Sequence, residues 1–227
     1  MMNLNVIIGL IAAAEFFIAV NLIMNYRNHK NPMTLCVFLI SIGLFIDAAF
    51  IALGGLTSGG LPTGLSRIRF ICHGGLIPLL LPICGYGLKL RKKSMNIVWL
   101  VTSILIVLGI AHAFAVKLEL TTYNDVLRHT MADSTPAWAK TVSSVLSFGT
   151  VLPLIASGIA VWIKQKTPFL FLSGILMFFF AALGPALGRF DMIFFISMFG
   201  ELFMILFAYF YIRKTTPQSS ESSDLAA

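Results

Sequence analysis

Charge is what this chain has least of. Only 11% of its 227 residues are Asp, Glu, Lys or Arg, whereas soluble domains carry about 25%. That scarcity, beside 58% apolar residues, excludes a water-soluble globule. Cysteine is nearly absent too: Cys36, Cys72 and Cys84 all fall inside apolar runs. The last two are separated by roughly 18 Å of one helix, which predicts neither a disulfide framework nor a thiolate metal cluster. Also missing is any Lys or Arg ahead of the first apolar stretch. Ala12, Ala13 and Ala14 resemble a signal-peptide cleavage site, but the stretch continues past them to Met24, so an uncleaved first span is expected.

What fills the chain is long apolar runs. About 20 residues are needed to cross the hydrocarbon core as a helix, and seven stretches reach that length: Asn5 to Met24, Thr34 to Leu53, Phe70 to Leu88, Met95 to Val116, Thr141 to Ile163, Phe169 to Gly188 and Met192 to Tyr211. Backbone groups in lipid have no water partner, and these runs lack the alternation of barrel strands, so helices are expected. The predicted fold is an all-α integral membrane protein, a seven-transmembrane-helix bundle over residues 1–214. A polar tail, 215–227, is expected to be disordered.

The net charge of +7 does not point to nucleic acid, because the cations sit in short clusters between the apolar runs rather than on one face. Arg27, Lys30, Lys89, Arg91, Lys92, Lys93, Lys164, Lys166, Arg213 and Lys214 all fall on one side. Arg67, Arg69, Lys117, Arg128, Lys140 and Arg189 fall on the other, with Glu119, Asp125, Asp133 and Asp191 among them. The cation-rich side is expected to be cytoplasmic, with the N-terminus outside and the C-terminus inside. The longest connection, Lys117 to Lys140, then lies outside and is placed to fold over the mouth of the bundle. Lack of targeting signals leans towards a bacterial inner membrane.

A 3+1+3 internal repeat is a further expectation. Lys30, Asn31 and Pro32 enter span two as Lys166, Thr167 and Pro168 enter span six, and Phe70, Gly75, Tyr86 and Lys89 of span three match Phe195, Gly200, Tyr211 and Lys214 of span seven.

Ionisable groups inside the spans are costly and mark function by default. Glu15, Asp47, His73, His112 and Glu201 all fall in the middle or outer half of their spans, and the inner half has no carboxylate or histidine. That one-sidedness predicts a cavity open to the outside, with Arg189, Arg67 and Arg69 near its mouth. Span five contributes Ser143, Ser147, Thr150 and Ser157 on one helical face, a pattern read first as close helix packing. Pro153 is expected to interrupt that helix, and Pro78 and Pro82 to interrupt span three.

The leading expectation is a proton-linked transporter or solute-binding sensor using Glu15 and Glu201 as proton carriers, with Asp47, His73, His112 and Arg189 nearer the entrance. Its expected partners are the lipid bilayer and a small solute or proton, not nucleic acid. The alternative is a membrane-embedded metal-dependent hydrolase acting on a lipid, with Asp47, His73 and His112 as ligands, although no local H-E-x-x-H motif is present. Cofactor identity stays unknown; haem between His73 and His112 is a minor option.

The seven-span plan is similar to that of sugar transporters built from three-helix repeats and their Pro-Gln-loop relatives, but no Pro-Gln pair occurs within the spans. It is similar to retinal proteins as well, yet span seven offers no lysine before its charged end for a Schiff base. Seven-span zinc hydrolases pair histidines within one helix, a pattern not found here.

Overall fold

A computed structural model of the chain describes residues 3–57, 59–124, 126–188 and 192–216. Its helices are α1 (Leu4–His29), α2 (Pro32–Gly54), α3 (Thr63–Leu76), α4 (Leu80–Gly87), α5 (Lys92–Ala115), α6 (Ala137–Gln165), α7 (Phe169–Ala186) and α8 (Ile193–Thr215). A short 3-10 turn, Ile77–Leu79, joins α3 to α4, so that Thr63–Gly87 acts as one span. Among the described residues, seven helical spans are therefore long and apolar enough to cross a membrane, the architecture of a multi-pass membrane protein.

Two departures from the sequence reading matter for the site. Span three starts at Thr63 rather than Phe70, because Arg67 and Arg69 lower its apolar signal yet both find partners inside the bundle. His73 is consequently ten residues into its helix, roughly 15 Å, and deeper than the sequence suggested. The bundle is also not purely helical. Leu118–Tyr123 (β1) and Val126–Met131 (β2) form an antiparallel hairpin in the long connection. Asn124, with φ 51°, opens its turn, in keeping with Asn-Asp between β-prone runs.

Helix ends follow their local chemistry. Asn3 and Asn31 cap α1 and α2 through their side chains, and Pro32 occupies the first turn of α2. On the cation-rich side Lys30 and Lys166 end α1 and α6 in left-handed conformations. Pro78 cannot donate to the carbonyl of Gly74, and the span narrows into its 3-10 turn there. Pro153, expected to interrupt span five, instead lies within the continuous α6.

The helices pack in sequence, α1 on α2, α2 on α3, α6 on α7 and α7 on α8, and α8 returns against α1 and α2. α3 crosses α5 with backbones nearly touching: a Cβ on Gly74 would strike the carbonyl of Gly109, and the converse holds. The tail-side half of the bundle is filled by an apolar cluster that includes Leu22, Val37, Ile83, Leu154, Leu170 and Ile212. A second cluster at the hairpin end joins Ile8, Ile11, Ala48, Ile51 and Met198 to Val126 of the hairpin, which is wholly buried.

Candidate functional site

The hairpin docks through polar contacts as well as through Val126. Ser66 Oγ and His129 Nδ1 lie 2.9 Å apart in a buried contact, and Arg69 Nη1 reaches the His129 carbonyl at 3.4 Å. A Cβ on Gly54 would meet the Leu127 carbonyl, so β2 lies directly on the end of α2. Burial, followed by repulsion from Arg69, holds His129 below the ordinary imidazole range. A depressed histidine adds stability above its unfolded value, about 6.5, and loses it as pH falls through the lower folded value. Docking should therefore loosen under mild acid. The protection factors of the β2 amides, which remove the intrinsic pH dependence of exchange, should fall below about pH 6.5 in the wild type and become independent of pH in His129→Gln; a pH-independent protection factor in the wild type would contradict the contact.

Beneath the hairpin, reaching down to Leu80 and Met204 at the top of the tail-side cluster, lies a cavity of about 480 Å³, within the range of small-molecule sites. Its charged lining comes from α2 (Asp47), α3 (Arg69 and His73), α5 (His112), β2 (Arg128) and α8 (Glu201). Four of the six site residues singled out in the sequence, Asp47, His73, His112 and Glu201, are thus brought together. Glu15 is not in the wall; it is buried behind it on α1, within the electrostatic reach of Glu201 and Asp47. Arg189 lies outside the described residues.

Two ion pairs organise the wall. Arg69 Nε donates to Asp47 Oδ1 at 2.7 Å, with both side chains nearly buried. His73 Nε2 and Glu201 Oε1 are 3.4 Å apart, linking α3 to α8. His112 presents a buried Nδ1 with no hydrogen-bond partner. Glu15 is 1% exposed, and neither carboxyl oxygen has a partner. Arg67, at the hairpin-side end of α3, caps the end of α5 by donating to the carbonyls of Ala113, Phe114 and Val116.

Asp47, His73 and His112 line one cavity but do not form a ligand set. Among the described residues no three His, Cys, Asp or Glu side chains are grouped to hold a metal, and Asp47 and His73 already face their own partners.

The hydroxyl stripe of α6 divides. Ser143, Ser147 and Thr150 line the cavity, whereas Ser157 is buried and bonded to the Leu154 carbonyl. Ser147 and Thr150 bond to carbonyls of their own helix, leaving hydroxyl oxygens to accept from a guest. Sequence reasoning missed Arg128, Thr130 and Met131, all on the lining strand β2. The signal was the run Leu118 to Met131 with its central Asn-Asp, a hairpin pattern.

At the tail-side end the bundle is tied shut. Tyr211 Oη donates to Gln165 Oε1 at 2.9 Å, and Gln165 Nε2 donates to the Gly87 carbonyl at 2.8 Å. These bonds join α4, α6 and α8 below the cavity.

The chain matches no protein-family model and no curated protein.

Proposed function

We propose that the protein is a proton-linked transporter or solute-binding sensor whose binding site is the cavity beneath the hairpin. The observation carrying this reading is the His73–Glu201 pair, a titratable link between α3 and α8 in the wall of a cavity whose charged lining lies under the hairpin. Proton transfer to Glu201 removes its attraction for His73, freeing α3 and α8 to separate. Separation would propagate to the tail-side tie at Tyr211, Gln165 and Gly87, exposing the cavity to the other face. Glu15, which has no hydrogen-bond partner and is electrostatically coupled to Glu201, is assigned as the group that exchanges the proton inward.

The distribution of cations supports a cytoplasmic tail and an outer hairpin, in what we take to be a bacterial inner membrane. An internal 3+1+3 duplication is part of the same proposal. Lys30 and Lys166, at matching positions before spans two and six, end their helices in the same left-handed conformation. Span one packs on span seven as span five packs on span three, through α4, which suits two related halves. The lipid-hydrolase alternative has less support, because Asp47 and His73 are engaged elsewhere.

The test is the pH dependence of access. Ser147→Cys, with Cys36, Cys72 and Cys84 replaced by alanine, is reconstituted in liposomes and treated with a membrane-impermeant maleimide from the hairpin side. Labelling should change at least fivefold between pH 5 and pH 8 and become pH-independent when Glu201→Gln is added. If the Glu201→Gln background responds to pH as the parent does, the proton link is wrong.

A further inference from the structure

We propose that the ligand of this cavity is a single-chain amphiphile with one negative charge, its head group held by Arg128 and its tail leaving the bundle between α6 and α7. This rests on the reading of the cavity as a ligand site and names what it takes.

The charge follows from pairing. Asp47 is matched by Arg69, and Glu201 faces His73. Arg128 remains. Its guanidinium lies 3.8 Å from the ring centroid of Phe194, and among the described residues it has no hydrogen bond or ion pair. Burial and repulsion from Arg69, partly offset by Asp47, bring it down to about 10, so it stays charged at neutral pH. A guanidinium held over an aromatic ring and lacking an anion is suited to receive a carboxylate. One uncompensated cation calls for one negative charge.

The apolar tail follows from the walls. Below Arg128 the lining includes Phe70, Ile77, Met177, Met198 and Met204, and methionines adapt to flexible chains. The route follows from helix spacing. In their tail-side halves α6 and α7 are in close contact, where a Cβ on Gly158 would strike the Phe171 backbone and one on Gly174 would crowd Ile155. In their hairpin-side halves Phe148 of α6 and Phe178 of α7 both line the cavity and remain 58% and 37% exposed, so no close helix contact covers them there. On this proposal the loosely packed stretch between these helices is the route by which an acyl chain leaves the cavity without entering water.

Protection of the Ser147→Cys label tests this directly. Dodecanoate should slow labelling about tenfold, equivalent to about 1.4 kcal/mol, whereas dodecanol, dodecyltrimethylammonium and acetate at the same concentration should leave it within twofold. Protection by dodecanoate should vanish in Arg128→Gln and survive in Arg128→Lys, which separates the charge from the fold of the hairpin. Equal protection by acetate would mean a water-borne anion, and protection that persists in Arg128→Gln would mean another receptor; either overturns the proposal. Labelling that proceeds normally but is not slowed by dodecanoate defeats the amphiphile alone, while a cysteine that never labels defeats the cavity reading on which it rests.

Discussion

Replacing Arg69 with methionine should be the most damaging single change in the bundle, costing about 3–5 kcal/mol, the usual penalty for leaving one member of a buried ion pair alone. Asp47 would be left in a site where both side chains are nearly buried, and the hairpin would lose the contact between Arg69 and the His129 carbonyl. Two effects add, because the guanidinium both neutralises α2 and holds β2 on α3. The double variant Asp47→Leu with Arg69→Met should recover most of the loss, since a buried pair replaced by apolar groups of similar size is close to neutral. Unfolding in mixed micelles with increasing dodecyl sulfate measures both. Equal stability of Arg69→Met and the wild type would mean that the pair is solvated.

Glu15→Met should have the opposite sign on stability and still abolish function. The side chain lies on the buried stripe of α1 with Ile8, Ile11, Ile18 and Leu22, between the two apolar clusters of the bundle. Neither of its oxygens is bonded. An unsatisfied buried polar group costs about 1–3 kcal/mol, so methionine, similar in length and unbranched, should stabilise the protein by about that amount. A residue that weakens the fold and lies behind the wall of a cavity is kept for its chemistry. Accordingly, the pH-dependent change in Ser147→Cys labelling should disappear in Glu15→Met even as thermal stability rises. Loss of stability with retained pH dependence would make Glu15 a structural residue.

The spans were legible because hydropathy alone decides them: all seven expected runs fall on helices long and apolar enough to cross a membrane. What hydropathy concealed was any segment whose charge is neutralised from a distance. The first turns of α3 looked like loop because Arg67 and Arg69 sit in them, and their partners are on α5 and α2. The connection Lys117 to Lys140 was legible as a segment placed over the mouth of the bundle but not as a hairpin, because its apolar anchor, Val126, finds its pocket on the distant α1, α2 and α8.

For the site, mid-span polarity marked Asp47, His73, His112 and Glu201 but not how they pair. Pairing of Asp47 with Arg69 and of His73 with Glu201 depends on the relative rotation of three helices, α2, α3 and α8, which no local pattern encodes. Glu15 carried the same sequence signal as Glu201, yet one is behind the wall and the other in it. Arg128 was counted only as a loop charge; its place in the cavity depends on the strand folding back over α2 and α3.

The most direct measurement is a cysteine profile along α6, treating Ser143, Ser147, Thr150, Leu154 and Ser157 one at a time with impermeant maleimide in sealed vesicles. Reaction at the first three from the hairpin side, with Leu154 and Ser157 silent, is the result expected of a cavity that opens on that side and is sealed below. Labelling of Leu154 and Ser157 as fast as Ser147, or labelling of Ser147 only from the tail side, would contradict it.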